Sequence, residues 1–299
     1  EANGARSPLQ ASCAMLARMG CVAFEWDLVG YCDSKGIEHQ QGFLDADAVL
    51  RLQSFMGLQT WNSVRALDFL ASLPDVDTSR IACTGASSGG TQTIQLEAID
   101  DRLAATFPVV MVSMNMQGGC VCENTPLLRV GTNNVELASL FAPKPQGMAA
   151  AQDWTHDFET RGLPEMKAIY GLYDAAENVS GKFFPYPHND NLHSRELMYN
   201  FINEQFKLGV PSPVLEKVPA PLTPEELSVW DAAHPVPADV ADATAVRAWM
   251  TRSSDEALAT LEKQPAAYRR VLQEALSAMV VDRGATAAEV EVEPNGPAQ

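Results

Sequence analysis

The sequence predicts an α/β fold, a mainly parallel sheet covered by helices on both faces. Short apolar runs alternate with helix-length periodic segments from Cys21 to Lys207, which is the signature of strands joined by helical crossovers. A Gly-x-Ser-x-Gly turn, Gly85-Ala86-Ser87-Ser88-Gly89, joins one of those runs to the helix that follows it. The 299 residues suffice for one sizeable core plus a smaller appendage.

The elements follow in order. Ser7 and Pro8 ahead of Leu9, Cys13, Leu16 and Ala17 predict an N-capped helix with proline in its first turn, closed by Gly20. Cys21-Val22-Ala23-Phe24-Glu25-Trp26 reads as a buried strand. Beyond a polar loop, Leu58, Trp61, Val64, Leu67 and Leu70 recur at helical spacing until Pro74 stops them. Arg80–Thr84 is a short strand running into the Gly-Ser-Gly turn, and Thr91–Ala98 is the helix after it. A strand over Ala104–Val112 leads to a long loop, a helix near Asn134–Phe141 and a strand near Gly147–Ala151. A helix near Leu163–Tyr173, a strand over Val179–Phe184 and a helix over Ser194–Lys207 complete the core.

From Pro211 the composition changes. Pro211, Pro213, Pro219, Pro221, Pro224, Pro235 and Pro237 exclude regular structure from most of that stretch. The expected division is an α/β catalytic core over residues 1–210, a Pro-rich linker or strap over 211–240 and a mostly helical extension over 241–299. Within the extension, Leu258, Leu261, Tyr268, Val271, Leu272, Ala275 and Met279 favour helix, and Ala288–Glu293 alternates like a strand.

Charge narrows the partners. Lys plus Arg total 21 against 38 for Asp plus Glu, and a formal charge of −17 disfavours nucleic acid and anionic membrane surfaces. Apolar runs fall well short of the roughly 18 residues that span a bilayer, so no membrane-crossing segment is expected. Glu1-Ala2-Asn3-Gly4 carries neither an initiator Met nor a charged-then-apolar signal, so any targeting peptide is expected upstream of it. Six cysteines are too few for a disulfide scaffold in a chain of this length. Cys13, Cys21 and Cys83 sit in apolar runs and read as small core residues. Cys120 and Cys122 share a Gly-rich loop without further ligands at metal-binding spacing, so loop packing or a disulfide to a distant cysteine is expected there, and neither metal nor cofactor.

The chemistry centres on Ser87. A serine hydroxyl is a poor nucleophile until a base takes its proton, and attack on a carbonyl creates an oxyanion that needs donors. A tight Gly-flanked bend between strand and helix presents the hydroxyl at the helix N-terminus and aims the next backbone N–H, that of Ser88, at the oxyanion. The motif alone occurs by chance in Gly- and Ser-rich loops; its position between a strand and a helix is the context that gives it meaning.

The base and acid should follow the serine, each after a strand. Of five histidines, His39 precedes the serine, His156 follows the strand near Gly147–Ala151, His193 begins a helix and His234 lies in the Pro-rich stretch. His188, after the last strand and before the last core helix, is the expected base; a plain turn residue is the competing reading. Asp153 follows the preceding strand and is the expected acid, with a helix N-cap as its bland alternative. Glu123 is the alternative acid, ahead of Asp157 and Glu159. Trp154 and Met116 are candidates for the pocket, although apolar residues near a site are more often packing.

Four segments together resemble the acetyl xylan esterase-like α/β-hydrolases of polysaccharide-degrading bacteria. They are Arg51–Asp68, Thr84–Thr93, Met116-Gln117-Gly118-Gly119-Cys120-Val121-Cys122-Glu123-Asn124 and Phe141-Ala142-Pro143-Lys144-Pro145. The likeness covers about residues 5 to 240, and the Gly-Gly-Cys-x-Cys-Glu-Asn loop is more specific than the serine turn. It implies a metal-free serine esterase acting on acyl groups of carbohydrates, secreted or periplasmic, with Ser87 as nucleophile, Asp153 as acid and His188 as base. Pro187 stands where the family often has Gly. The resemblance also implies several strands ahead of the first helix, and a His-Gly-type loop donating a second oxyanion N–H, which this sequence does not contain; the expectation is an N-terminally truncated variant. A glucuronoyl-type esterase and a serine peptidase are the alternatives on the same fold. A weakly active or non-catalytic chain that self-associates through its helical tail is the contrasting expectation.

Overall fold

A computed structural model describes residues 6–114, 119–124, 131–217 and 220–279. Four strands form one parallel sheet in the order β1-β2-β3-β4: β1 Ala82–Ala86, β2 Ala105–Val109, β3 Gln146–Ala150 and β4 Val179–Phe183. Every residue of β2 and β3 is buried, as strands covered on both faces must be.

Helices cover both faces. On one, α1 (Arg6–Arg18) and α7 (Leu192–Phe206) bring Met15, Met19, Met198, Tyr199 and Ile202 onto Phe107, Val109 and Ala149. On the other, α4 (Ser88–Ile99), α5 (Asn134–Ser139) and α6 (Leu163–Gly171) bring Ile94, Val135, Ala138, Met166 and Tyr170 onto Met148, Ala150 and Val179. The short helix α2 (Ala46–Leu50) and the long α3 (Phe55–Ser72) precede β1, and Leu67 of α3 packs with Cys83, Leu96 and Leu103. Strand and helix bounds agree with the sequence expectations to within a few residues. The exceptions are α2, in a stretch expected to be loop, a π-helical turn, Phe158–Gly162, that precedes α6, and the strand expected over Cys21–Trp26.

One expected strand is absent from the sheet. Cys21–Trp26 forms no strand, with Val22 48% and Phe24 39% exposed. Its apolar character serves side-chain packing instead: the Phe24 ring lies 5.0 Å from Phe69 of α3 and 6.1 Å from Trp26. The buried side of α3 also differs from the expected apolar stripe. Trp61 is exposed while Gln59 and Ser63 are buried, and the Ser63 hydroxyl donates to Gln92 Oε1 of α4 at 3.1 Å.

The Pro-rich stretch crosses the surface in short contacts. Glu216 receives Arg195 of α7 at 2.7 Å, Leu222 exchanges hydrogen bonds with Gln10 of α1, and the Trp230 indole donates to the Asp33 carbonyl at 3.1 Å. A short helix in it, α8 (Pro224–Leu227), carries a Thr223/Glu226 capping box. Helices α9 (Ala243–Leu261) and α10 (Pro265–Met279) follow. Arg247 of α9 pairs with Asp45 and Asp47, Thr251 accepts from Gln53, and Val246 and Met250 pack on Phe43 and Phe55. The strand-like Ala288–Glu293 lies outside the described residues. No helix among the described residues is long and apolar enough to cross a membrane.

Glu97, on the buried side of α4, accepts from Gln146 Nε2 of β3 at 2.6 Å. Burial pushes its carboxyl up to about 8, against the hydrogen bond from Gln146. The folded chain therefore binds this proton more tightly than the unfolded chain. Its contribution is present in full below the ordinary Glu range and is lost as pH rises toward 8. Stability should fall between pH 6 and pH 8.5 by about 2 kcal/mol from this group. Glu97→Gln removes the charge and should flatten the slope in urea-unfolding midpoints; an unchanged slope contradicts the assignment.

Candidate active site

The C-terminal ends of the strands gather the chemistry, as expected of an open parallel sheet. Ser87 connects β1 to α4 with φ 57 and ψ −119, a strained conformation for a residue with a side chain. Two hydrogen bonds hold it: its N–H donates to the Val109 carbonyl at the end of β2 at 3.1 Å, and its carbonyl accepts from Thr91 N–H at 2.9 Å. The flanking glycines make this bend feasible. A Cβ on Gly85 would sit 2.6 Å from the Gly89 carbonyl carbon and oxygen, and one on Gly90 would sit 2.8 Å from the Val109 oxygen. Gly90 was not singled out in the sequence, since its constraint comes from β2 rather than from the turn itself. Gly85→Ala is expected to destabilise the chain by about 2–3 kcal/mol, because the contact is backbone that cannot rotate away. Thermal unfolding checks this; an unchanged midpoint contradicts it.

Asp153 and His188 sit in the loops after β3 and β4. The two loops are tied together by Phe184 N–H to the Ala150 carbonyl at 2.9 Å and Gln152 N–H to the Tyr186 carbonyl at 2.8 Å. His188 Nδ1 lies 2.7 Å from Asp153 Oδ2, and His188 Nε2 lies 3.0 Å from Ser87 Oγ. A carboxylate only accepts, so Nδ1 carries the proton and Nε2 offers its lone pair to the serine hydroxyl. The His188 side chain is 32% exposed and that of Asp153 6%, which leaves the imidazole open to a reactant and shields the carboxylate behind it.

The other Asp153 oxygen accepts from Thr155 N–H at 2.7 Å and from its hydroxyl at 2.6 Å. One oxygen thus organises a local turn and the other faces the histidine, and the helix that follows has Asp157, not Asp153, at its N-cap. Burial works to raise its pKa, but the hydrogen bonds from His188 and Thr155 outweigh that and keep the carboxyl below its ordinary range. Trp154 lies against His188 with ring centroids 4.5 Å apart. Met116, the other pocket candidate, lies outside the described residues.

Glu123 is buried and stands on the far side of the serine. Its Oε1 accepts from Ser87 Oγ at 3.2 Å and from Ser88 Oγ at 2.8 Å, and its Oε2 accepts from Gly119 N–H at 2.8 Å. The carboxylate that meets the imidazole is Asp153. His156 bonds the Asp153 carbonyl, His193 opens α7 with its ring over Tyr186, and His234 pairs with Asp231. The cysteines of the Gly-rich loop depart from expectation, because Cys120 is bridged to Cys122 instead of to a distant cysteine. A two-residue separation gave no reason to expect this pairing. Cys83 is buried as expected, whereas Cys13 and Cys21 are only half-buried.

The sequence model of the acetyl xylan esterase family matches residues 41–117, a stretch that holds α3, β1, the Ser87 turn and β2. The solved Methylesterase BT1017 aligns at 36% identity with a TM-score of 0.57, over 66% of this chain and 44% of its own. The chain has the α/β-hydrolase fold. It resembles the acetyl xylan esterase-like branch of that fold, as the Gly-Gly-Cys-x-Cys-Glu-Asn loop implies, and it spans under half the length of that methylesterase. A carbohydrate esterase family 15 glucuronoyl esterase from Caldicellulosiruptor kristjansonii aligns at 14% identity and TM-score 0.49, over 69% of this chain and 64% of its own. An acetyl xylan esterase from Paenibacillus sp. R4 aligns at 21% and 0.38, over 52% and 55%. Both superpose too loosely for residue-level inference. No curated protein matches the sequence significantly. Ser87, Asp153 and His188 follow the C-terminal ends of β1, β3 and β4 in that chain order.

Proposed function

We propose that this chain is a serine carboxylic-ester hydrolase acting on esterified carbohydrate. The observation that carries the reading is the continuous hydrogen-bonded relay from Asp153 through His188 to Ser87, at 2.7 and 3.0 Å. Ser87 Oγ attacks the ester carbonyl while His188 Nε2 takes its proton. Asp153 holds the imidazole in the required tautomer and stabilises the imidazolium. The Ser88 N–H, at the head of α4, donates to the oxyanion. His188 returns the proton to the leaving alcohol, and water, deprotonated by the same imidazole, releases the acid from Ser87.

The Glu123 carboxylate offers the Ser87 hydroxyl a second acceptor, but only His188 is backed by a buried carboxylate, so proton transfer runs toward the imidazole. Trp154 lies beside His188 and supplies an apolar wall for the substrate. Acetyl esters of xylan are the substrate that the family match favours, and the 36% identity to a methylesterase favours methyl esters as the second reading. Hydrolysis of a short-chain aryl ester, lost on Ser87→Ala, tests the reaction. Acetate released from acetylated xylan, against methanol released from a methyl-esterified carbohydrate, decides between the two substrates.

A further inference from the structure

The Gly-rich loop holds a feature that the esterase reading does not use. His39, from the loop ahead of α2, and Cys120 and Cys122 place an imidazole nitrogen and two sulfurs within 4.8 Å of one another. The sequence hides this cluster, because His39 is some eighty residues from the cysteines, far outside the spacings that betray a metal motif. We propose that, once the Cys120–Cys122 bridge is reduced, His39, Cys120 and Cys122 form a three-ligand site for a soft divalent ion such as Zn²⁺.

The surroundings fit a built ligand set. His39 Nδ1 lies 2.8 Å from the Val29 carbonyl, which only accepts, so Nδ1 carries the proton and Nε2 keeps the lone pair a metal needs. The imidazole is fixed against Tyr31 and Phe55, with ring centroids 4.3 and 5.2 Å away. Cys122 is fully buried, in an apolar cluster with Val29, Ile37, Phe43 and Phe55. Bonds of about 2.0 Å to nitrogen and 2.3 Å to sulfur at tetrahedral angles separate ligand atoms by about 3.5 Å, within the span of this cluster. Two thiolates and one imidazole select zinc-like ions over hard cations, and the fourth position is left for water.

A trialkylphosphine and water reduce the bridge: the phosphine takes the water oxygen and leaves as its oxide, and the two water hydrogens end on the two sulfurs. Each thiol then releases its proton as its sulfur bonds to the metal, while His39 binds as neutral imidazole. Bridge and metal are mutually exclusive occupants of the same sulfurs. Cys122 Sγ is 3.3 Å from the Ser88 hydroxyl, so the site adjoins the serine turn, but the proposal stands whether or not Ser87 is a nucleophile.

The test uses the full chain, reduced with a phosphine, desalted without oxygen and titrated with Co²⁺ as a coloured stand-in for Zn²⁺. The expected result is a sulfur-to-cobalt charge-transfer band that saturates at one ion per chain, disappears when Zn²⁺ is added, and never forms with the oxidised chain. Cys122→Ser should abolish the band, and His39→Gln should weaken Co²⁺ binding at least tenfold. Circular dichroism shows whether each variant folds, and His39→Gln decides if Cys122→Ser does not. No band in the reduced chain overturns the proposal. So does a band that survives in folded Cys122→Ser, which would assign the ion to other cysteines, or unchanged affinity in folded His39→Gln.

Discussion

Ser87→Ala should lower kcat toward a short-chain aryl ester by about 10⁶-fold, the scale seen when the nucleophile of a well-studied serine hydrolase is removed. The loss should fall on kcat rather than on binding, since the hydroxyl contributes little contact area and the rest of the site stays in place. The fold should survive. Ser87 holds a strained φ of 57, which an alanine tolerates no worse than a serine, and the bonds that fix the turn come from its backbone. Measured kcat and KM on matched, folded preparations check this. Residual activity within tenfold of the parent chain would mean that another group performs the attack.

Asp153→Asn should cost about 10⁴ in kcat with KM nearly unchanged; this magnitude is that of the corresponding substitution in the serine-protease triad. The reason is tautomeric. Thr155 donates to Oδ1 through both its N–H and its hydroxyl, so an asparagine keeps its carbonyl oxygen there and turns its NH₂ toward His188. That NH₂ donates to Nδ1, which moves the imidazole proton to Nε2, where it can no longer receive the Ser87 proton. Glu123 does not compensate, because it lies against the two serines. A kcat within tenfold of the parent would show that Asp153 acts only in its local turn.

Much of this was legible because the fold class and the site share one logic. Parallel strands place their following loops at one end of the sheet, so a Gly-Ser-Gly turn after one strand and an Asp and a His after two later ones converge without any direct sequence signal for contact. Ser87, Asp153 and His188 could be named from position along the chain for that reason. What escaped was whatever depends on contacts between distant segments. Apolar composition marked Cys21–Trp26 as a strand, but composition does not say whether a run meets a ladder partner or, like Phe24, an aromatic ring on α3. Glu97, Gln59 and Ser63 are polar helix residues that carry no sequence signal of burial, and packing of α4 against β3 and α3 buries them. His39 was set aside because it precedes the serine, a criterion blind to its neighbours Cys120 and Cys122.

In the proposed mechanism the Asp153–His188 pair activates the Ser87 hydroxyl. Covalent capture by an aryl organophosphate tests it most directly, because the reagent reacts with an activated serine and needs no knowledge of the natural substrate. The predicted result is one adduct per chain, located by peptide mass spectrometry on Ser87, abolished by Ser87→Ala and slowed by several orders of magnitude in His188→Ala. A folded chain that takes up no label, that is labelled elsewhere, or that reacts at Ser87 equally fast without His188 would contradict it.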